Sequence, residues 1–215
     1  MTLKQLPLKL LQLFLGFFLV GLGVIFMRYA NLGLNPWGTF HEGVSKLSGI
    51  RFGTITQFTG LTIILISMVL KIYPGVGTLL NMYFCGFFIN MIDDINIIPV
   101  PETLPMKSLY LFLGIWILAL GIYTYISVGL GAGPRDGLMV GLVKKTGISV
   151  SKIRTVIEFT ALAIGFFLGG TVGLGTIIAA FGIGYAIQTV FKWRKFDSKT
   201  MHQMNFKDFF TMKFQ

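Results

Sequence analysis

The chain has 215 residues and a net charge of +10, with 54% hydrophobic but only 12% charged residues. A soluble domain carries roughly 25% charged residues, so this composition excludes a water-exposed globule and predicts an integral membrane protein. The positive charge falls between and after apolar runs, where membrane orientation explains it, and no recognition module accompanies it, so nucleic-acid binding is not expected.

The first predicted element is an apolar run over residues 10–27 that follows a short, positive N-terminus. A signal peptide has an apolar region of about 7–15 residues and a small-residue cleavage site. Because this run is longer and ends in Met27-Arg28-Tyr29, we expect it to remain in the mature protein as a first membrane span.

Six stretches approach the roughly 20 apolar residues that a membrane helix needs. They are residues 9–29, 53–72, 76–93, 107–128, 153–170 and 173–191. After the first and fourth stretches, a Gly-rich entry leads to Pro36 or Pro134 at a plausible first helical position. Each of these two segments ends at a glycine, Gly49 or Gly147, and is too short and too charged to span alone. Each is therefore predicted to be a half-helix.

The two halves of the sequence resemble each other at a constant offset of 98 residues. Residues 33–36 correspond to 131–134, and an ungapped comparison of 14–91 with 112–189 gives 21 identities in 78 positions. Composition alone would give about a third of that number, so we infer an internal duplication.

An odd number of crossings in each half places the second half upside down relative to the first, as in many secondary transporters. The predicted organisation is repeat 1 over 1–95, an acidic Pro-rich linker over 96–106, repeat 2 over 107–191 and a basic cytoplasmic tail over 192–215. The predicted fold is an all-α polytopic membrane protein with six transmembrane helices and two Gly-Pro half-helices in inverted three-span repeats.

Charge predicts the orientation of the termini. With six spans and a cytoplasmic N-terminus, fourteen of the 18 Lys and Arg residues lie on the cytoplasmic side, as the positive-inside rule requires. Eight crossings, with both half-helices spanning, satisfy the rule equally well and also leave both termini in the cytoplasm. Segment length favours six crossings.

The tail interleaves cations with phenylalanines, namely Phe206, Phe209, Phe210 and Phe214. This pattern predicts an amphipathic segment on the anionic inner leaflet of the bilayer. A docking element for a partner protein is the alternative interpretation.

Gly-rich motifs carry a resemblance to a known family. The runs 129–136 (GLGAGPRD), 169–177 (GGTVGLGTI) and 33–37 (GLNPW) resemble the signatures of YczE-like bacterial membrane proteins, which are usually placed with the YitT-type proteins. The resemblance covers nearly the whole chain except the tail and implies a multi-pass protein of the bacterial cell membrane. Such proteins are mostly described as membrane proteins or transporters, and the resemblance supplies no catalytic or ligand-binding residues.

The N-termini of the two half-helices form the candidate substrate site, because free N–H groups and the positive end of a helix dipole attract anionic groups. Two such ends that converge would form a small central site. The candidate substrate-binding residues are Asn35, Trp37, Thr39, Gly131, Gly133, Arg135 and Asp136. In the alternative, the glycines and prolines only shape turns, and Arg135 pairs with Asp136 or faces cytosolic water.

Glu158 and His41 are the candidates for proton coupling. An intramembrane carboxylate such as Glu158 usually faces a cavity, a partner or a proton path. Its alternative role is a local ion pair with Arg154, one helical turn earlier. Histidine titrates near neutrality, although a lone histidine such as His41 is more often a packing residue.

These features favour a secondary transporter of a small anionic or zwitterionic solute that binds where the half-helices converge. The alternative is a non-transporting membrane scaffold or regulator that acts through the basic tail. No enzyme is expected, because the sequence contains no Walker loop, zincin motif or G-x-S-x-G elbow. Neither a metal nor another cofactor is expected, since Cys85 is the single cysteine and no second histidine lies near His41. The sequence leaves the oligomeric state open.

Overall fold

The structure is a computed structural model that describes residues 6–197, 203, 204 and 206. This part of the chain forms helices joined by short turns and contains no strand. The helices are α1 (Leu6–Ala30), α2 (Pro36–Ser48), α3 (Phe52–Val69), α4 (Val76–Ile95), α5 (Leu104–Ile126), α6 (Pro134–Thr146), α7 (Val150–Phe167) and α8 (Leu174–Trp193). The prediction of an all-α polytopic membrane protein is confirmed.

Five of the described helices, α1, α3, α4, α5 and α8, are long and apolar enough to cross a membrane. The sixth predicted span, α7, has 18 residues but carries Lys152, Arg154 and Glu158. The prediction of six spans is thus confirmed for five helices, whereas α7 fits in length and not in apolarity. Helices α2 and α6 have 13 residues each. At about 1.5 Å per residue they reach about 20 Å, which is short of the roughly 30 Å hydrocarbon core.

Both half-helices begin and end as the sequence predicts. Pro36 and Pro134 open them at the first helical positions, where a missing N–H costs no hydrogen bond. Gly49 (φ 72°) and Gly147 (φ 68°) end them in the left-handed conformation that favours glycine. Only the first N-terminus has a side-chain cap, because Asn35 accepts a hydrogen bond there, whereas α6 starts at Gly133 without one.

The two halves are interlocked through equivalent backbone hydrogen bonds. The N–H of Gly77 at the start of α4 donates to the carbonyl of Leu130 at 2.7 Å, and the N–H of Gly175 at the start of α8 donates to that of Leu32, also at 2.7 Å. Both donors and both acceptors are 98 residues apart. Helices α2, α3 and α4 likewise share their bounds with α6, α7 and α8 at that offset. Each half therefore places its helix break against the last helix of the other half.

Helices α1 and α5, which are equivalent under the same offset, pack antiparallel. A Cβ atom built on Gly16 would lie 2.7 Å from the backbone nitrogen of Tyr125, and one built on Gly23 would lie 2.7 Å from that of Leu118. The earlier glycine of α1 thus meets the later part of α5. These glycines allow close helix packing, since a larger side chain would separate the two backbones.

Ion pairs gather at one end of the helix bundle. Arg28 bonds Asp93 at 2.8 Å, and Arg51 bonds Asp94 at 2.6 Å. Asp93 also accepts a hydrogen bond from the hydroxyl of Tyr29. The end of α1, the start of α3 and the end of α4 are therefore at the same level, as three spans of alternating direction require.

Large apolar side chains cover the outside of the bundle. Phe167, Val69 and Phe181 are 84%, 82% and 79% exposed, respectively. Such a surface suits hydrocarbon and not water, and with the five apolar helices it makes this a multi-pass membrane protein.

Candidate functional site

The N-termini of α2 and α6 converge on a central cavity of about 470 Å³, a size typical of small-ligand sites. Most of the candidate residues named from the sequence line this cavity. They are Asn35, Trp37, His41, Gly133, Arg135, Asp136 and Glu158.

Two candidates, Thr39 and Gly131, do not line the cavity, contrary to the prediction. Thr39 is fully buried and donates its hydroxyl hydrogen bond to the carbonyl of Leu34 at 3.1 Å. It lies two residues after Trp37, and residues two apart on a helix point in nearly opposite directions. Gly131 (φ 127°) lies in the break, where an added Cβ would come 2.8 Å from the hydroxyl of Thr78.

Arg135 stacks its guanidinium on the indole ring of Trp37, with 4.5 Å between the guanidinium carbon and the ring centroid. It forms no ion pair with Asp136 or any other residue that the structure describes. Neighbouring residues on a helix do not face each other, which explains why the adjacent charges stay apart. The alternative in which Arg135 pairs with Asp136 therefore does not describe this side chain.

Glu158 pairs with Arg154 at 2.9 Å, one turn earlier on α7. The local ion pair considered from the sequence is thus present. Both side chains also line the cavity, although the side chain of Arg154 is 47% exposed. Arg154 and Glu158 neutralise each other, and both side chains remain at the cavity wall.

Three oxygen atoms surround the place beside Gly133 where a Cβ would be. The hydroxyl of Tyr125 lies 3.2 Å from that point, Oδ1 of Asn81 lies 3.5 Å from it, and Oδ2 of Asp136 lies 3.6 Å from it. All three side chains line the cavity. The absence of a side chain at Gly133 therefore leaves an oxygen-lined space open.

Tyr125 was missed as a site residue in the sequence. A tyrosine near the end of an apolar span is common at membrane interfaces, so its hydroxyl gives no distinctive signal. Its role depends on the docking of α5 against the break before α6, which a single sequence does not reveal.

His41 is 2% exposed and lines the cavity from α2. Its Nδ1 lies 3.1 Å from the hydroxyl of Thr56, and the Phe52 ring packs edge-on at 5.6 Å. These contacts agree with a packing role. Its Nε2, however, has no hydrogen-bond partner among the described residues. A buried polar atom of this kind is costly unless something else bonds it.

The cavity has a charged side and an uncharged side. All four of its charged side chains, Arg135, Asp136, Arg154 and Glu158, come from the second half of the chain. The residues 98 positions earlier are Trp37, Gly38, Thr56 and Gly60, which also line the cavity and carry no charge. Equivalent positions thus contribute different chemistry to one site.

Helix α2 is fixed on its far side by a polar network. The carboxylate of Glu42 accepts a hydrogen bond from the backbone N–H of Thr171 at 2.6 Å, and the ammonium of Lys46 donates to the carbonyl of Gly169 at 3.1 Å. The position equivalent to Glu42 is Val140, so α6 cannot repeat the bond.

The tail contacts the break that precedes α6 instead. The side chain of Gln203 accepts a hydrogen bond from the N–H of Gly131 at 3.2 Å, and the N–H of Met204 donates to the carbonyl of Gly129 at 3.0 Å. The other predicted amphipathic residues of the tail, including Phe209, Phe210 and Phe214, lie outside the described residues.

Residues 7–192 match the family described as a family of unknown function (DUF6198). The chain is 32% identical over 187 residues to the uncharacterized membrane protein YczE of Bacillus subtilis, with 86% of each chain covered. It is 32% identical over 170 residues to an uncharacterized protein of Haemophilus influenzae, covering 79% of this chain and 77% of that one. No solved structure matches the chain. The resemblance to YczE-like membrane proteins is confirmed.

Proposed function

This chain belongs to the family of unknown function DUF6198, and we propose that it is a secondary transporter of a small anionic or zwitterionic solute. The solute binds in the central cavity where α2 and α6 converge. Of the candidate residues, Asn35, Trp37, Gly133, Arg135 and Asp136 form the substrate site, and Glu158 and His41 couple transport to protons.

The main support for this proposal is a cavity that contains charged side chains inside an apolar bundle. Charged residues within a membrane are costly and usually mark a substrate or ion path. Arg135 and Asp136 line the cavity without an ion-pair partner among the described residues. A scaffold has no need to retain such charges, whereas a solute site uses them.

An inverted repeat supplies the means of alternating access. The antiparallel packing of the equivalent helices α1 and α5 and the shared helix bounds support this arrangement. Rocking of one half against the other would open the cavity to each side in turn. Both termini lie in the cytoplasm of a bacterial cell, as the distribution of cations favours.

A thermal-shift screen of the purified protein tests the proposal. The panel contains amino acids, carboxylates, organic phosphates and nucleosides, since a ligand that binds the native state raises its melting temperature. We expect at least one compound to stabilise the wild type and to lose its effect in Arg135→Ala. A panel without any stabilising compound, together with no uptake into proteoliposomes, would contradict transport.

The alternative function, a scaffold or regulator that acts through the tail, is favoured by the contacts of Gln203 and Met204 with the break before α6. These contacts would let a partner bound to the tail act on α6. Under this alternative, deleting the tail removes function whether or not the cavity binds a ligand.

A further inference from the structure

The four charged side chains of the cavity differ in pairing. Arg154 and Glu158 neutralise each other at 2.9 Å. Arg135 and Asp136 are not paired with each other or with any other described residue, although both line the cavity. The site therefore presents one positive and one negative side chain that no described residue holds in a direct ion pair.

A ligand with a charge of a single sign would satisfy only one of these two side chains. The other charged side chain would stay in the cavity without a direct partner, and an uncompensated charge away from water is unfavourable. We infer that the ligand is a small zwitterion of the α-amino-acid type, with an ammonium group, a carboxylate close to it, and an uncharged remainder. This inference rests on the proposed function of the cavity as a solute site.

The ammonium position is the oxygen-lined space beside Gly133. Oxygens of Tyr125, Asn81 and Asp136 lie within 3.2–3.6 Å of one point there. The hydroxyl of Tyr125 is held by a backbone hydrogen bond with Gly133. A carboxylate with neutral oxygens around it is the environment that an ammonium group with three donors requires.

The carboxylate position is at the first turn of α6, next to Arg135. The guanidinium lies over the Trp37 ring, with 4.5 Å between its carbon and the ring centroid, and forms no ion pair with a described residue. Its forked donors can therefore make a two-pronged bond to a carboxylate. Because α6 has no side-chain cap, the backbone N–H groups at its start are also available to the ligand. Both binding groups belong to the first turn of α6.

The uncharged remainder of the ligand faces the first half of the chain. Trp37 and Phe52 contribute aromatic surface there, and Gly60, which packs closely against Met82, takes the position of Glu158. His41 adds a polar atom to this wall, because its Nε2 is buried and has no hydrogen-bond partner among the described residues. A neutral side chain with at most one hydrogen-bonding group fits this wall.

Three compounds that share an isobutyl group test the inference on the purified full-length protein. Leucine carries both charges, 4-methylpentanoate lacks the ammonium group, and 3-methylbutylamine lacks the carboxylate. We expect leucine to raise the melting temperature, with each single-charge compound binding about tenfold or more weakly, because one buried charge then stays unpaired.

Gly133→Ala and Gly137→Ala form a matched pair on the same helix. An added methyl at 133 fills the oxygen-lined space without an unusual backbone angle, whereas one at 137 meets nothing within 4 Å. We expect Gly137→Ala to keep leucine binding and Gly133→Ala to lose it while its melting temperature without ligand stays close to that of the wild type. Asp136→Asn should reverse the preference, so that 4-methylpentanoate binds at least as tightly as leucine.

Equal binding of leucine and 4-methylpentanoate by the wild type would overturn the zwitterion inference and leave anion transport standing. Binding of none of the three compounds would also overturn it, while the wider panel continues to test transport. Leucine that binds as expected but never enters proteoliposomes would support the zwitterion site and contradict the proposed transport.

Discussion

Trp37 and Arg135 occupy equivalent positions of the two halves, 98 residues apart, and contact each other, with 4.5 Å between guanidinium carbon and ring centroid. Each is the second residue of its half-helix. Equivalent residues that touch must lie near the axis that relates the halves. The cavity is therefore centred between the halves, and its two walls are formed by corresponding positions with different side chains.

The stacking of Arg135 on Trp37 predicts that charge alone is not sufficient at position 135. Arg135→Lys keeps the charge but loses the planar contact and the forked donors, so ligand affinity should fall between those of the wild type and Arg135→Ala. A cation–π contact contributes about 0.5–2 kcal/mol. A double-mutant cycle with Trp37→Leu measures it, and full additivity of the two single variants would show that the contact has no energetic role.

The glycine contact between α1 and α5 predicts a large loss of stability on substitution. In Gly23→Ala the new methyl would lie 2.7 Å from the backbone nitrogen of Leu118, which forces the helices apart. Overpacking of this kind costs about 1–3 kcal/mol. Gly184→Ala, where a methyl meets nothing within 4 Å, is the control. Equal melting temperatures of the two variants in detergent would contradict the close packing.

The inverted arrangement predicts that equivalent ends of α2 and α6 open to opposite sides of the membrane. Ser48 and Thr146 are both exposed and are separated by the offset of 98. Single cysteines at these positions, in a Cys85→Ala background, should react differently with a membrane-impermeant maleimide in intact cells. Position 48 should be labelled from outside and position 146 only after lysis. Labelling of both from one side would contradict the inversion.

The place of Glu158 at the cavity wall predicts that it links uptake to a proton gradient. Glu158→Gln cannot exchange a proton, so uptake driven by an inward proton gradient should fall to the level seen without a gradient. Exchange of solute between the two sides should persist. Glu102→Gln, which alters an exposed carboxylate outside the cavity, is the control. Unchanged gradient-driven uptake in Glu158→Gln would remove Glu158 from the coupling mechanism.

The tail contacts predict a structural effect of truncation. A chain that ends at Asp197 loses the bonds of Gln203 to Gly131 and of Met204 to Gly129. We expect a lower melting temperature, because each lost hydrogen bond reduces the free energy of unfolding by about 0.5–1.5 kcal/mol. Gln203→Ala in the full-length chain measures the contribution of the Gln203 side chain alone. Loss of cellular function with ligand binding and uptake intact would support the scaffold alternative.

Local chemistry made much of the fold predictable. The prolines and glycines at their ends predicted the bounds of both half-helices. The offset of 98 residues predicted that α2, α3 and α4 would share their bounds with α6, α7 and α8. The charges of α7 were visible in the sequence, but whether they face lipid or an interior depends on tertiary packing. For that reason α7 was predicted as a span on the same footing as the apolar helices.

The cavity was predictable in part. The Gly-Pro breaks indicated the positions of Arg135 and Asp136, because helix N-termini have a known chemistry. The rotation of Thr39 away from the cavity follows from helix periodicity once Trp37 is placed. The contribution of Tyr125 and the stacking of Arg135 on Trp37 arise between segments distant in sequence, and their geometry appears only in the packed structure.

Counterflow in proteoliposomes measures transport through the cavity without any driving proton gradient. Vesicles that contain the purified protein are loaded with the compound that stabilises it most in the thermal-shift panel, and entry of the same labelled compound is followed. We expect saturable entry that depends on the internal load and is lost in Arg135→Ala. Entry equal to that of protein-free vesicles, or entry unchanged in Arg135→Ala, would contradict transport through this cavity.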